Sequence, residues 1–398
     1  MGKQNNNSFD KIFLYLLLGS IVIYFSQGSL YPNGSIISRS ALVLWLLIDI
    51  CYFFVYISKY RLLSFEKIIF VFWFVNTCYW FFSPKVQISD WGEPLSTFNN
   101  FKSICWTFLT YYPIRYFTKK GLLTDKILSF FVLFVFIVFV MSFFSYRARL
   151  LYEYNRDAIT NNMGYRFVSL LPLLGIFRKP KYTFAFIGIS IYFIIMSSKR
   201  GAILCGILAF IFLFIYSLAG VPRKKKFQYS ILVLGVCCLF VYLLYDVFLS
   251  NEYLMQRLSN MEAGKDDSGN ARISQVSAIW EYVTNGTMFH LLFGYGFDKS
   301  VMMAGNYAHN DWAELLANLG LLGCIMYLVF FMKSFNIYRH NRKKLSSMQK
   351  YMFMSVMGMW LLMSMFSMGY ISNTSFLFMI VIAYIVSDVE KKERLCLK

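Results

Sequence analysis

His309 is the strongest candidate for acid–base chemistry in the sequence. It stands at the start of a long apolar block, beside Asn310, Asp311 and Glu314. The ordinary pKa of histidine, about 6.5, allows it to act as a base near neutral pH. The alternative interpretation is a purely structural role at the start of a helix. The neighbouring Asn310 is a second candidate, for binding a substrate.

Arg200 is a candidate for binding phosphate, because a guanidinium group is planar and forms two parallel hydrogen bonds. It lies in Ser198-Lys199-Arg200-Gly201, a very short turn between two apolar blocks. The alternative is an arginine that anchors a helix at the membrane interface while its charge reaches water. Arg272 lies in a later polar segment and takes its functional interpretation from the resemblance described below.

Four further arginines crowd one short polar segment, and we interpret them together as candidates for binding an anionic substrate. They are Arg147, Arg149, Arg156 and Arg166. Chance, or local pairing with Glu153 and Asp157, explains some of them. An anionic ligand explains the group but no single member.

Other chemistries lack their sequence signals. Asp49 lies inside an apolar block, where a charged group is costly, so either a functional role or burial with a hydroxyl partner is expected. The sequence has no P-loop, complete Rossmann fingerprint, metal-binding histidine pair or nucleophile elbow. The eight cysteines show neither a disulfide framework nor metal-ligand spacing. We therefore predict no metal and no cofactor.

The elements that position these residues are apolar helices. Of the 398 residues, 58% are hydrophobic and only 15% are charged, against about 25% charged in soluble domains. The apolar residues form blocks close to the roughly 20 residues that span a bilayer. The sequence therefore predicts an all-α, polytopic membrane protein with about 12 transmembrane helices. The predicted spans are Ile12–Gln27, Ile37–Ser58, Phe65–Ser83, Phe101–Phe117, Lys126–Ser145, Arg166–Phe177, Tyr182–Ser198, Gly201–Gly220, Gln228–Leu249, Trp312–Met332, Tyr351–Met368 and Ile371–Ser387.

The basic residues predict the orientation of these spans. With both termini in the cytoplasm, 26 of the 39 lysine and arginine residues lie on the cytoplasmic side, as the positive-inside rule requires. The sixth span is short, but without it the later basic residues would fall outside. The net charge of +19 then reflects topology and attraction to anionic lipid, and we expect no nucleic-acid partner.

The whole chain, 1–398, is expected to form a single integral membrane domain. The first apolar block lacks a small-residue cleavage site, so we interpret it as a retained span rather than a signal peptide. The largest loop of the chain, 250–311, is predicted to be an outer (periplasmic or extracellular) loop before span ten.

The motifs around His309 resemble the signature of the O-antigen polymerase and ligase superfamily. In that family a His-Asn pair opens a span and a glycine follows after nine intervening residues, as Asn310 and Gly320 do here. The turn at Arg200 is similar to the family's Ser-Arg-Gly turn, although Lys199 interrupts it. Arg272 and then Gly294-Tyr295-Gly296 also occur in the expected order. Leu321 departs from the pattern, because ligases often have an aromatic residue or threonine there.

The resemblance implies an enzyme that transfers glycans on the outer face of the bacterial inner (cytoplasmic) membrane. The donor would be a glycan on undecaprenyl pyrophosphate, and the acceptor another lipid-linked repeat unit. Arg200 and Arg272 would stabilise the leaving pyrophosphate, and His309 would position or deprotonate the acceptor hydroxyl. No step demands a metal. Membrane lipid, a chain-length regulator and a flippase are the accompanying partners.

Two other functions remain as alternatives. An O-antigen ligase would use the same donor but transfer its glycan to lipid A-core. No sequence motif identifies which acceptor is used. A lipid-linked glycan flippase or transporter would also suit the outer arginines. Such folds usually carry internal repeats and broken helices in matching halves, neither of which is visible here.

Overall fold

The computed structural model describes residues 2–89, 92, 94–154, 162–177, 180–219 and 267–396, with scattered positions between 221 and 260. These residues are almost entirely helical, which confirms the predicted all-α fold class. The helices are α1 (Gly2–Phe25), α2 (Ile36–Lys59), α3 (Ser64–Phe82), α4 (Phe98–Leu109), α5 (Tyr111–Lys119), α6 (Asp125–Tyr154), α7 (Met163–Leu170), α8 (Pro180–Met196), α9 (Arg200–Ala219), α10 (Asp267–Thr284), α11 (Met288–Phe293), α12 (Ser300–Ala304), α13 (Asp311–Asn341), α14 (Ser347–Phe366) and α15 (Phe376–Cys396). A 3₁₀ segment, Leu171–Ile176, continues α7.

Six described helices are long and apolar enough to cross a membrane: α1, α2, α3, α6, α9 and α13. The number of spans therefore stays a prediction. The predicted ninth span, Gln228–Leu249, lies where only scattered positions are described.

Two of the predicted spans consist of two helical segments each. The fourth, which carries Pro113, is formed by α4 and α5, which meet at Thr110 with helical backbone angles. Thr110 donates a hydrogen bond to Asp49 of α2 (2.6 Å) and accepts one from Trp45 (3.0 Å). Asp49 is fully buried. Burial with a hydroxyl partner is one of the two interpretations that the sequence allowed for this residue.

The sixth predicted span is α7 with its 3₁₀ extension. A 3₁₀ helix rises about 2.0 Å per residue against 1.5 Å in an α-helix, so the segment covers more depth than its length suggests. The Leu171 carbonyl, at the start of the 3₁₀ segment, accepts a hydrogen bond from Tyr351 of α14 (2.8 Å), and Gly175 packs on Met352. The 3₁₀ segment is thus held against the first turns of α14.

A short antiparallel hairpin connects α3 to α4, an element that the sequence analysis did not predict. Strand β1 (Val86–Ile88) pairs with β2 (Pro94–Ser96), with Gln87 opposite Leu95. Thr97 follows the hairpin, and its hydroxyl accepts a hydrogen bond from the indole of Trp80 (3.2 Å). The hairpin thereby fixes the start of α4.

The two ends of the helix bundle differ in their polar chemistry. At one end, which we call the far end, acidic and basic side chains pair with one another. Arg115 of α5 bonds Glu66 of α3 (2.9 Å) and Glu390 of α15, while Lys120 bonds Asp10 of α1. At the opposite end, which we call the cavity end, the loops and helix ends surround an open space.

Candidate functional site

A cavity of about 640 Å³ occupies the cavity end of the bundle, a size typical of small-molecule sites. Its walls come from the ends of α1, α4, α6, α7, α10 and α14 and from the loops before α9, α13 and α15. Five lining side chains are basic or imidazole groups: Arg149, Arg166, Lys199, Arg272 and His309. Six carry amides: Gln27, Asn33, Asn99, Asn100, Asn162 and Asn373. None of the described lining residues is acidic.

His309 lies on this cavity in an unusual backbone conformation. Its φ of 52° is in the left-handed region, which histidine adopts more readily than most residues. The residues on either side are fixed. Ala308 donates its N–H to Glu314 (2.6 Å), and Asn310 begins α13 as its N-cap. The imidazole is therefore presented by a loop that is held at both ends.

Asn310, a predicted substrate-binding residue, is engaged by the backbone. Its side-chain oxygen accepts from the N–H groups of Trp312 (3.0 Å) and Ala313 (3.1 Å), and its amide donates to the carbonyl of Met365 (3.1 Å). It does not line the cavity. The helix-start role that was the alternative for His309 thus belongs to its neighbour.

The two acidic residues of the motif also support the loop. Asp311 is buried and accepts hydrogen bonds from Tyr327 (2.6 Å) and from the N–H of Tyr370 (3.2 Å). Glu314 is buried and bonds Ser300. These bonds connect α13 to the loop before α15 and to the start of α12, so the motif is largely a scaffold for His309.

Electrostatics keep His309 neutral. Burial, the Arg272 guanidinium and the Lys199 ammonium together lower the pKa of His309 from 6.5 to about 4. The charged imidazolium is disfavoured both by loss of water and by neighbouring like charge. At neutral pH the imidazole therefore carries a free lone pair and can accept a proton.

A buried carboxyl group stands behind the same wall. Burial raises the pKa of Asp298 to about 8, with Glu314 adding to the rise. Both of its oxygens lie 3.0 Å from the amide nitrogen of Asn100, which lines the cavity. Asp298 therefore orients a lining residue, and burial favours its protonated form. The sequence analysis missed it, because an isolated aspartate in a loop carries no distinguishing signal.

The predicted arginines have different positions. Arg272, on α10, lines the cavity and donates to the carbonyl of Phe366 at the end of α14 (3.1 Å). Arg200 is the first residue of α9 and is half-buried, but it is not among the lining residues, whereas the adjacent Lys199 is. The lysine that interrupts the sequence motif is thus the side chain that reaches the cavity. Its only sequence signal was that departure.

Of the four arginines in the crowded segment, some line the cavity and others do not. Arg149 and Arg166 line the cavity. Arg147 is half-buried on α6 and is not a lining residue. Arg156 lies outside the described residues.

The glycine motifs form a backbone contact next to the site. Gly320 interrupts α13 with φ 66° and ψ −158°, a region that is essentially restricted to glycine. Beside this kink the carbonyls of Ala317 and Asn318 accept hydrogen bonds from the N–H groups of Tyr295 (2.9 Å) and Gly296 (3.1 Å). A Cβ on Gly294 would lie 2.5 Å from the Asn318 backbone. The motif glycines therefore join the loop after α11 to α13.

The helical fold and the cationic cavity define the chain as a polytopic membrane protein with a site at one end of its bundle. Residues 185–328 match the family model described as O-antigen ligase. This match confirms the resemblance to the O-antigen polymerase and ligase superfamily, and it includes Lys199, Arg200, Arg272 and His309. It supports a glycosyl-transferring function of the polymerase or ligase type, with lipid-linked glycan substrates in general. No curated protein sequence matches the chain significantly.

Proposed function

We propose that this protein polymerises undecaprenyl-pyrophosphate-linked oligosaccharide repeat units into O-antigen or another surface polysaccharide on the outer face of the bacterial inner membrane. The observation that carries the proposal is the position of His309. It is a neutral imidazole on a polar cavity, with the cations Arg272 and Lys199 as its electrostatic neighbours.

The proposed reaction is a displacement at the anomeric carbon of the donor sugar. An acceptor hydroxyl oxygen forms the new bond, the bond from the anomeric carbon to the pyrophosphate oxygen breaks, and the electron pair leaves with undecaprenyl pyrophosphate. His309 accepts the hydroxyl proton. Arg272 and Lys199 stabilise the charge that develops on the leaving group. Arg200 supports the same turn from the base of α9.

The cavity favours a single displacement. A double displacement needs a carboxylate close to the anomeric carbon, and no described lining residue is acidic. The glycosidic bond should therefore form with inversion of the anomeric configuration.

The second candidate is an O-antigen ligase, which the description of the matching family model favours. The two activities differ only in the acceptor. Purified protein given labelled lipid-linked repeat units should form a ladder of longer chains without any other acceptor. Transfer to lipid A-core, with no chain growth on lipid-linked units, would establish the ligase instead.

The role of His309 is tested by the surface polysaccharide of a deletion strain that carries His309→Ala. Loss of a general base typically costs 10²- to 10⁴-fold in rate, so we expect single repeat units without long chains once membrane insertion is confirmed. A normal ladder would mean that His309 is structural. Loss of single units as well would favour the ligase or a flippase.

A further inference from the structure

Arg166 forms no ion pair with any of the described residues. Its guanidinium lies 5.5 Å from the ring of Phe25 and 5.9 Å from the ring of Phe139. One of its terminal nitrogens, NH1, is buried without a hydrogen-bond partner. Aromatic faces attract a cation, but a desolvated guanidinium also needs hydrogen-bond acceptors. None of the described amide or hydroxyl oxygens that line the cavity accepts from this nitrogen, so a ligand that enters the cavity can supply the missing acceptor.

The cations of the cavity lie on two different walls. Arg272 is bonded to the end of α14, and its charge acts on His309. Arg166 extends from α7 toward rings of α1 and α6. Arg149, on α6, lies over the ring of Tyr146 at 4.9 Å and lines the same cavity.

We propose that Arg166, together with Arg149, forms a second anion site in this cavity, which binds a phosphate or carboxylate group of the lipid-linked acceptor. The inference rests on the proposed function, because polymerisation brings two anionic lipid-linked glycans to one cavity. The leaving pyrophosphate uses the wall of Arg272 and Lys199, and the acceptor uses the wall of Arg166. This second site lies outside residues 185–328, the segment that matches the family model.

The outer surface of α1 and α6, the two helices whose rings Arg166 faces, suits a lipid-linked ligand. An apolar groove of about 620 Å³ runs between α1 and α6 and is lined by Gly19, Val22, Phe130 and Phe134 among others. The ends of the same two helices carry Gln27 and Ser142 into the cavity. An isoprenoid chain in this groove would hold its anionic headgroup at the wall of Arg166.

The test is isothermal titration of the purified full chain with two probes, geranylgeranyl pyrophosphate and trigalacturonate. Wild type should bind two equivalents of the isoprenoid pyrophosphate. Arg166→Gln and Arg272→Gln should each bind one. Arg39→Gln, which alters an exposed arginine of α2 outside the cavity, should behave as wild type. Arg166→Lys keeps the charge and should weaken the second equivalent about tenfold, because lysine lacks the planar fork.

The two probes distinguish the sources of the anion. Two isoprenoid equivalents in wild type, one of them lost in Arg166→Gln, identify the acceptor's phosphate. Trigalacturonate binding that falls at least tenfold in Arg166→Gln, with one isoprenoid equivalent throughout, identifies a glycan carboxylate. The second site would be overturned if Arg166→Gln bound both probes as the wild type does while unfolding at the wild-type temperature. Failure of the purified wild-type protein to lengthen lipid-linked repeat units would instead contradict the proposed function and leave the Arg166 titration readable.

Discussion

At the scale of single residues, the chemistry of the site depends on the charge state of His309. Its pKa of about 4 makes it a weak base in the free protein. An anion bound beside Arg272 and Lys199 would offset their charge, and a nearby negative charge favours the imidazolium. Binding of the pyrophosphate donor should therefore strengthen the base that the reaction needs.

We predict that the pKa of His309 lies near 4 in the free protein and rises toward about 6.5 when inorganic pyrophosphate is bound. Histidine NMR titration of the purified protein measures it, with His309→Ala to assign the signal among the three histidines. Because the folded-state pKa is lowered, the unfolding free energy should fall as pH drops from 6.5 through 4. If the pKa of His309 did not change when pyrophosphate was added, Arg272 and Lys199 would not be the residues that bind the anion.

At the scale of elements, the kink of α13 is what brings the motifs together. The sequence analysis identified Gly320 only by its spacing from Asn310, whereas the structure requires its positive φ. A Cβ on Gly320 would lie 2.6 Å from the backbone of Gly294 and of Leu292. Both the backbone conformation and the close approach therefore require glycine.

Gly320→Ala should destabilise the protein by more than the roughly 1–3 kcal/mol of backbone strain, because the backbone contact with Gly294 must also open. We expect a lower unfolding temperature and shorter surface polysaccharide. Gly206→Ala, in α9, is the matched control, since a Cβ there would lie no closer than 3.6 Å to another atom and alanine favours a helix. Equal stability of the two variants would contradict the proposed role of the kink.

At the scale of the whole molecule, the two ends of the bundle differ in the balance of their charges. At the far end the carboxylates of Glu66 and Glu390 pair with Arg115 and Lys119. At the cavity end the described lining residues are cationic or neutral. Buried charges are costly unless paired, so the first arrangement stabilises the bundle and the second attracts an anionic substrate.

The predicted orientation places the cavity on the outer side of the cytoplasmic membrane. A cysteine introduced by Ser145→Cys, at a lining position, should react with a membrane-impermeant maleimide in intact spheroplasts. A cysteine introduced by Lys343→Cys, at an exposed position after α13, should react only after permeabilisation. Labelling of the wild-type protein is the control, because it measures the reaction of the native cysteines alone. The reverse pattern would invert the topology and exclude chemistry on the outer face.

The sequence by itself determined the class of protein, because hydrophobic blocks of bilayer length and the bias of basic residues are local properties of the chain. It also singled out His309, Arg272 and the arginines of the crowded segment, whose residue types are costly near a membrane. Only the tertiary structure decided which of them share a cavity. Lys199 reaches it where Arg200 does not, and Arg166 reaches it where Arg147 does not. The reason is that these choices depend on helix rotation and on the kink at Gly320, both of which are set by packing between distant segments.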